Sequence, residues 1–339
     1  MLKEIEIQNF RCFEQIKISG FERVNLIGGK NNAGKTALLE ALCLKIDPSI
    51  RSLAILKELR REKETSSIPA TMLYRAWDNL FYNKNNEVNI VIISKDDSDN
   101  TEFVKINLDI NSISIKSKII VELIKNEDSS TSQAELTFMS QLISTGISLT
   151  EEGPIVPSFI ISSGRKLTEA FDRARLDDKD SEVLKAFQVI DPAIESVESF
   201  SIGEPTLYLR RKGEKRLPLS LFGDAMNRVA HIMIKMINSK YNILLIDEIE
   251  NGIHHTNQRE FWRILFRLAV ELDTKIFATT HSLEMLQAFA DVGLEPNQKC
   301  SSAYFELARK LKTNQIIGSR LDLETLNYAL EHKEGVRGE

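Results

Sequence analysis

The sequence predicts an α/β fold in which helices cover a mixed or parallel central sheet. One observation is the run of four apolar residues at 243–246, because a strand without alternation is typical of a sheet buried on both faces. A second is the apolar run at 276–278, which follows a helical stripe at 261–272. The third is an apolar run at 24–28 that precedes another helical pattern. Strand–helix–strand units of this kind imply parallel strands with right-handed crossovers.

A glycine-rich loop follows the apolar run at 24–28, with the pattern Gly29-x-x-x-x-Gly34-Lys35-Thr36. Between a strand and a helix, this pattern predicts a phosphate-binding loop. Glycine allows a close approach of the backbone to a phosphate, and the amides at a helix start favour an anion. We expect Lys35 to lie between the β- and γ-phosphates of a nucleotide and the Thr36 hydroxyl to ligate Mg²⁺. The alternative is a glycine-rich turn with a solvated lysine. The loop residues predicted to bind the cofactor are Gly29, Asn31, Asn32, Ala33, Gly34, Lys35, Thr36 and Ala37.

The composition is ordinary, with 42% hydrophobic and 27% charged residues in 339, which predicts one large domain with an inserted lobe, or two domains. The 49 acidic and 44 basic residues give a net charge of −5, so a global basic field is excluded, whereas a local DNA-binding patch stays open. Cys12, Cys43 and Cys300 form no Cys-x-x-Cys pair and are expected to be free thiols. The sequence shows no signal peptide and no membrane-spanning run, so we expect a cytoplasmic protein without a membrane partner.

The middle of the chain differs in character from its two ends. Residues 5–18 predict two short strands joined by a turn, and helices are expected after the loop, up to Pro48, and around 53–59, with a solvated charged end at 60–64. Strand-like spacing then predicts a small antiparallel sheet from segments 88–92, 104–110, 113–115 and 119–123, followed by an exposed loop at 127–132. We therefore predict an inserted lobe at 51–154, with antiparallel β and helical parts, in a head formed by residues 1–50 and 155–339.

The last part of the chain returns to helices and buried strands. A charged helical pattern at 167–187 is expected to end at Asp191-Pro192, and 197–209 predicts a strand. The basic run 210–216 predicts a solvated hairpin tip, with a contact to a phosphate backbone as the alternative. A helix is expected at 226–237, and the tail at 304–330 predicts short helix and strand that complete the head.

Acidic residues follow the buried strand at 243–246. Asp247 and Glu248 are expected to point to opposite faces, so that Asp247 completes the Mg²⁺ site begun by Thr36, and Glu248 orients or deprotonates the attacking water. The alternative is an acidic pair that caps a neighbouring helix. His281 follows the next strand, where an imidazole can donate to the γ-phosphate or position the water. The adjacent histidines at 254–255 lack a third ligand nearby and predict a loop instead of a metal site.

These motifs resemble those of a known group of proteins. The segments 29–36, 246–254 and 279–282, together with the opening Ile7-Gln8-Asn9-Phe10-Arg11-Cys12-Phe13, resemble the ATPase heads of the ABC/SMC/RecF group. Within it, the chain is most similar to the AAA-type ATP-binding proteins grouped with the OLD (overcoming lysogenization defect) ATPases. The resemblance covers residues 1–45 and about 155–330, and it implies a P-loop NTPase of the ABC-ATPase type that binds ATP and Mg²⁺. It also makes Arg11 a candidate for cofactor binding.

The resemblance further implies a head-to-head homodimer or higher oligomer, in which each nucleotide lies between the loop of one copy and the signature segment of the other. That segment corresponds to Leu219–Ala225, so Ser220 and Gly223 are candidates for contacts to the nucleotide in trans. The family usually has Ser-x-Gly or a closely related spacing, whereas this chain has Ser220-x-x-Gly223. Ala225 stands where a glycine is common.

OLD nucleases carry a TOPRIM nuclease domain after the ATPase head, but only 58 residues follow His281 here. Such a domain needs a glutamate and an Asp-x-Asp motif on separate strand ends, and Asp322-Leu323-Glu324 does not provide them. We therefore expect an ATPase with no nuclease of its own. By resemblance, a separate effector, for which a TOPRIM-type nuclease is one option, would act with it in bacterial anti-phage defence or DNA repair. DNA stays open as a further partner.

Three functions are compatible with these residues. The first is an ATPase whose cycle closes and opens a dimer and so gates an effector or DNA. The second is an ATP-dependent switch with negligible hydrolysis, which the irregular signature segment favours. The third, a small-molecule kinase, shares the loop but gives Glu248 and His281 no joint role.

Overall fold

Three sheets organise the computed structural model of the protein, which describes residues 1–60, 77–111, 116–125, 128–136, 142–144, 153–158, 164–201 and 203–332. The strands are β1 (Leu2–Phe10), β2 (Phe13–Ser19), β3 (Val24–Gly28), β4 (Ile90–Asp96), β5 (Thr101–Asn111), β6 (Lys116–Lys125), β7 (Asp128–Leu136), β8 (Leu142–Ser144), β9 (Ile155–Val156), β10 (Ile194–Phe200), β11 (Thr206–Arg211), β12 (Leu217–Pro218), β13 (Ile243–Ile246), β14 (Lys275–Thr279), β15 (Ser302–Arg309) and β16 (Ile316–Leu321). The helices are α1 (Lys35–Ile46), α2 (Ile50–Leu59), α3 (Gly164–Leu176), α4 (Asp180–Ile190), α5 (Asp224–Ile237), α6 (His255–Glu271), α7 (Leu283–Gly293) and α8 (Leu323–Glu331).

The central sheet has the order β16-β15-β3-β14-β13-β9 in the part of the chain that the structure describes. Strands β9, β13, β14, β3 and β15 run parallel, and β16 is antiparallel at one edge. The runs at 24–28, 243–246 and 276–278 form neighbouring strands, because an unbroken apolar strand needs cover on both faces. The predicted mixed sheet is therefore confirmed, and the tail completes it through β15 and β16.

Both faces of this sheet are covered by separate apolar cores. Leu244, Ile246 and Ala278 face a core shared with α5, α6 and α7. The alternate residues Leu245 and Phe277 face a second core that includes α1 and the inner face of the antiparallel sheet. The sheet thus lies between two layers, as period-two alternation of buried strands requires.

The antiparallel sheet has the order β2-β1-β4-β5-β6-β7-β8. Strands from the predicted lobe therefore continue the sheet that β1 and β2 begin, with Ile7 opposite Ile92. The pairing buries Ile5 and Ile7 on the face that carries the second core. Boundaries for a lobe at 51–154 and a head at 1–50 and 155–339 stay a prediction.

One predicted loop in this sheet is wrong. Residues 128–132 of the expected loop at 127–132 belong to β7, which pairs with β6 and places Ser132 opposite Val121. The polar composition indicated a loop, but the ladder of backbone hydrogen bonds does not depend on apolar side chains. The strand predicted at 113–115 lies outside the described residues.

Two segments of the last part are divided where the sequence predicts one element. The helix expected at 167–187 is interrupted at 177–179, where Asp178 adopts a φ of 55° and α3 gives way to α4. The strand expected at 197–209 is a hairpin, in which β10 turns back into β11 and Ser199 lies opposite Leu207. In both cases a turn divides a segment that the sequence predicts as one element.

The basic run 210–216 forms the tip of the hairpin between β11 and β12, with Leu209 opposite Leu217. Gly213 has a φ of 75°, which a turn requires there. Ion pairs with carboxylates of β10 and of the α4 C-terminus partly neutralise the positive charge of the tip. They are Arg210–Glu195 at 3.6 Å, Arg211–Asp191 at 2.5 Å and Arg216–Glu198 at 2.7 Å. The hairpin prediction is confirmed. Among the described helices, none is long and apolar enough to cross a membrane.

Candidate functional site

The glycine-rich loop at 29–34 lies between β3 and α1, at the carboxyl edge of the central sheet. Gly29 has a φ of 134° and Gly34 a φ of 94°, both in a region that favours glycine. A Cβ at Gly29 would lie 2.2 Å from the carbonyl oxygen of Leu307, and one at Gly34 would lie 2.9 Å from the ring of Phe13. Both positions therefore require glycine for conformation and for space.

The other predicted loop residues divide by exposure. Asn31 and Asn32 are exposed on the outside of the loop, and Asn32 has a φ of 63°. Ala33 and Ala37 are buried below it. Any contact that Ala33 or Ala37 makes with an anion must therefore come from its backbone amide. Their part in cofactor binding stays a prediction.

Lys35 begins α1 and folds back over the loop. Its Nζ donates to the carbonyl oxygens of Gly29, at 2.7 Å, and of Lys30, at 3.0 Å. Burial lowers the pKa of Lys35, and the carboxylates of Glu250 and Asp247 oppose that shift. The ammonium group is thus partly desolvated, which strengthens its attraction for an anion.

Asp247 connects three parts of the carboxyl edge. Its buried carboxylate accepts a hydrogen bond from Thr279 Oγ1 at 2.7 Å, and Thr36 Oγ1 lies 3.1 and 3.2 Å from its two oxygens. Burial raises the pKa of Asp247, while the hydrogen bonds from Thr279 and Thr36 act in the opposite direction. The structure therefore brings together the two residues expected to hold Mg²⁺, and their metal role stays a prediction.

Glu248 separates from Asp247 for a reason other than the expected one. β13 ends at Ile246, so both acids lie in the following loop, where strand alternation no longer applies. Glu248 instead adopts a φ of 49°, and its backbone amide donates to Thr279 Oγ1 at 2.8 Å. Its carboxylate is 41% exposed and accepts from Asn251 Nδ2 at 2.9 Å. The buried acid and the exposed acid thus face different surroundings.

His281 lies beside Glu248, and a residue that the sequence analysis missed holds it there. The Nδ1 atom of His281 is 2.8 Å from Glu250 Oε1 and 4.0 Å from Glu248 Oε1. The backbone amide of His281 also donates to Glu250 Oε1, at 2.7 Å. The Glu250 side chain is 9% exposed. Its only signal in the sequence was that it is a third acidic residue, two positions after Glu248.

The adjacent histidines at 254–255 lie at the start of α6. His254 is the N-cap residue, and its side chain accepts from the backbone amide of Thr256. No group of three His, Cys, Asp or Glu side chains that could hold a metal occurs in the described ranges. The loop predicted at 254–255 is wrong for His255, which begins α6, and the absence of a metal role for the pair stays a prediction.

Arg11 takes part in a buried ion-pair cluster. Its Nε lies 3.0 Å from Glu40 Oε2, and its Nη1 donates to the carbonyl oxygen of Asn79 at 2.9 Å. Glu40 is completely buried on α1 and also accepts from Arg60 Nε at 2.7 Å. Arg60 is 39% exposed, which agrees with the solvated end expected at 60–64, although it pairs with Glu40, and residues 61–64 lie outside the described part of the chain. A contact of Arg11 with the cofactor stays a prediction.

Arg228 supports the acidic loop from α5, and no motif indicated it. The side chain is 2% exposed, and it donates to the carbonyl oxygens of Pro157, Asp247 and Glu248. Burial lowers the pKa of Arg228 to about 10, although the nearby carboxylates favour its charged form. Arg228 thus fixes the backbone that carries both acids.

Ser220 and Gly223 lie apart from the loop, at the other end of the acidic segment. Residues 219–222 form one 3-10 turn, and Gly223, with a φ of 84°, precedes α5. Ser220 and Gly223 are exposed, and Leu221 between them is 67% exposed. Gly252 packs against this segment, because a Cβ there would lie 3.1 Å from the backbone nitrogen of Ala225. Within the described residues, no hydrogen bond joins Ser220 to the glycine-rich loop.

Comparisons with known proteins agree with this arrangement. The matching family is described as "AAA domain, putative AbiEii toxin, Type IV TA system", and its sequence model matches residues 24–286. A protein of Helicobacter pylori named "ATP/GTP phosphatase" is 23% identical over 389 aligned positions, which cover 100% of each chain.

Two solved structures share the fold. A structure of the Smc head bound to the C-winged helix domain of ScpA is 11% identical, with a TM-score of 0.53, and covers 95% of this chain and 98% of that chain. The Smc head domain bound to the C-terminal domain of ScpA from Pyrococcus furiosus is 10% identical, with a TM-score of 0.52, over 98% and 99%. The predicted α/β head of the ABC-ATPase type is therefore confirmed.

Proposed function

The chain belongs to the AAA-domain family whose sequence model matches residues 24–286, and from that membership we propose that it is a subunit that binds and hydrolyses ATP. The observation that carries the proposal is the convergence of Thr36, Asp247 and Thr279, which joins the glycine-rich loop to the ends of two neighbouring strands. A hydrolytic nucleotide site needs these groups at one sheet edge.

Nucleotide binding would use the loop and the start of α1. The amides of 34–36 lie at the start of α1, where unpaired donors and the helix dipole attract phosphate, whereas the Ala33 amide donates to the carbonyl oxygen of Lys30 at 3.2 Å. The Lys35 ammonium would exchange its two carbonyl partners for phosphate oxygens, which carry full negative charge. ATP is the ligand that we propose, as the resemblance of these motifs implies.

The residues at this edge fit Mg²⁺. The Thr36 hydroxyl and the Asp247 carboxylate supply the hard oxygen donors that Mg²⁺ prefers, and they already lie about a hydrogen-bond length apart. Bound there, Mg²⁺ would neutralise charge on the β- and γ-phosphates. Thr279 would orient the Asp247 carboxylate through its short hydrogen bond.

Hydrolysis would depend on Glu248 and His281. The Glu248 carboxylate accepts from Asn251 and is 41% exposed, and it would orient or deprotonate the attacking water. His281 would donate to the γ-phosphate, and Glu250 would hold its ring in place. Arg228 would keep the carbonyl groups of both acids fixed during the reaction.

Head-to-head pairing is the second part of the proposal. Ser220 and Gly223 are exposed on the same chain that builds the loop and the acidic segment, so a second copy could present them to the nucleotide. The Smc structures that share this fold are bound to ScpA domains, which supports a head that works with a partner protein. We propose a cytoplasmic OLD-like ATPase dimer that gates a separate effector, for which a TOPRIM-type nuclease is one candidate, in anti-phage defence or DNA repair, with DNA as a further possible partner.

The alternative is an ATP-dependent switch with negligible hydrolysis. The exposed signature segment, with its extra residue between Ser220 and Gly223, is the observation that favours it. Phosphate release from ATP by the purified protein, with and without DNA, distinguishes the two functions. We expect steady release that stops when EDTA removes Mg²⁺. Saturable ATP binding without release under any of these conditions would support the switch and contradict the hydrolase.

A further inference from the structure

A cavity of about 620 Å³ lies at the end of the central sheet opposite the candidate nucleotide site. Its floor includes Gly153 and Pro154, which precede β9, and residues 239–241, which precede β13. Since β9 and β13 run parallel, both segments mark the amino edge of the sheet. The glycine-rich loop and Asp247 lie at the carboxyl edge, so the cavity is a separate place in the fold.

The walls of the cavity carry an excess of positive charge. Five cationic side chains line it against two carboxylates, although the whole chain has a net charge of −5. The cations are Lys166, Arg173, Lys179, Lys235 and Lys240, and the carboxylates are Glu169 and Asp177. A concave surface with one sign of charge focuses the field and attracts ligands of the opposite sign.

Three of these cations are available to a ligand. Lys166, Arg173 and Lys179 form no ion pair with any carboxylate in the described part of the chain, in contrast to the arginines of the hairpin tip. Lys166 and Arg173 are exposed on α3, and Lys179 follows that helix. Their charges therefore face the cavity opening without an internal counterion.

Apolar side chains form the base of the cavity. Leu167 and Ile234 are buried where α3 packs on α5, and Tyr241 contributes a partly exposed ring at one side. His231 also lines the cavity. A ligand that fits such walls has a phosphate end and a flat or apolar end, which is the chemistry of a nucleotide.

We propose that this cavity binds a small phosphorylated ligand of nucleotide or dinucleotide size. Its volume lies within the range typical of small-molecule sites. The cavity is a half-open cleft, and a nucleic-acid duplex is wider than a cleft of this volume, so a free phosphorylated ligand agrees better with the geometry than a polymer does. The site is independent of ATP hydrolysis at the other edge.

The test titrates the full chain, without added ATP, with a 5′-phosphorylated deoxyadenosine dinucleotide and separately with inorganic pyrophosphate, and follows binding by calorimetry, because ATP could itself occupy a cavity of this kind. We expect saturable binding of the dinucleotide at one site per chain. The double charge reversal Lys166→Glu with Arg173→Glu should weaken it by about tenfold or more, as the loss of charge-assisted contacts implies.

The matched control is Arg175→Glu, on the same helix and exposed, but outside the cavity lining. It should change affinity by less than about twofold, because only distant screened charge is altered. Circular dichroism and thermal unfolding of each variant would show that the fold is retained.

Four results would overturn the proposal. The first is that neither probe binds saturably. The second is an equal loss of affinity in Arg175→Glu. The third is loss of dinucleotide binding in Lys35→Ala, which would place the probe in the glycine-rich loop. The fourth is binding of an oligothymidine of about thirty nucleotides with no binding of the dinucleotide, which would indicate a polymer groove.

Discussion

The two halves of the proposed nucleotide site differ in how far a single chain builds them. In the first half, Lys35 donates to the Gly29 carbonyl after β3, and Thr279 at the end of β14 donates to the Asp247 carboxylate. Buried Arg228 holds the backbone of Asp247 and Glu248. In the second half, Ser220 and Gly223 sit on one exposed turn. The first half is therefore fixed by folding, whereas the second half can act only when a second copy brings its own nucleotide site against the exposed turn.

The largest effect is expected from Lys35→Ala in the first half. Loss of the ammonium group removes the charge that would contact the β- and γ-phosphates, so ATP affinity should fall by about a hundredfold or more. Titration with a fluorescent ATP analogue measures this change. Lys30→Ala, which removes an exposed lysine from the same loop, is the control and should retain affinity. Normal affinity in Lys35→Ala would remove the site from this loop.

Glu248→Gln should separate binding from hydrolysis within the first half. Loss of a general base typically reduces turnover by about a hundredfold or more, whereas ATP affinity should be unchanged because the proposed role of Glu248 is toward the water and not the phosphate. Phosphate release and ATP binding are measured on the same preparation. Glu214→Gln, in the exposed hairpin, is the matched control and should turn over ATP normally. Wild-type turnover in Glu248→Gln would assign the base to another residue.

Glu40→Gln tests the stability of the first half. Glu40 is completely buried between Arg11 and Arg60, so its replacement by Gln removes the negative charge that both guanidinium groups contact. We expect the free energy of unfolding to fall by about 3 kcal/mol, measured by denaturant titration. Glu195→Gln breaks a pair whose partners are both about 40% exposed, and it should cost less than about 1 kcal/mol. Equal costs would mean that the buried cluster contributes no more than a surface pair.

The smallest effect is expected in the second half. Leu221→Asp places a charge on a 67% exposed residue beside Ser220, so the unfolding free energy of the isolated chain should change by less than about 0.5 kcal/mol. ATP-dependent dimerisation should nevertheless weaken by about tenfold, since a charge would be buried in the interface. Analytical ultracentrifugation of the Glu248→Gln background with ATP measures it. Val270→Asp, another exposed apolar position, is the control, and an equal effect there would argue against the turn as the interface.

The sequence predicted what is local in the chain. The glycine-rich loop, the acids at 247–248 and His281 each follow a buried strand within a few residues, so spacing alone indicated them. Residues that act across the sheet, such as Arg228 and Glu40, carry no local signal, because their partners lie far away in the sequence. The cavity at the amino edge is formed by three separated segments, and only packing brings its cations together.

Similar physics explains the errors in the fold. β7 has the composition of a loop, yet the ladder with β6 makes it a strand, because backbone hydrogen bonds can override side-chain preference. The helix expected at 167–187 has apolar positions on both sides of a break, which the backbone at Asp178 reveals. Periodicity thus located the elements better than it located the turns inside them.

The order of the central sheet also governs when the protein becomes competent during its own synthesis. β3, which carries the glycine-rich loop, has β14 on one side and β15 on the other, so its neighbours arrive about 250 and 275 residues later in translation. Until residue 309 has left the ribosome, the strand below the loop has an unpaired edge and Gly29 has no Leu307 carbonyl beside it. Prematurely terminated chains should therefore bind nucleotide poorly and compete little with complete chains for it. The emerging chain should rely on chaperones to shield that edge.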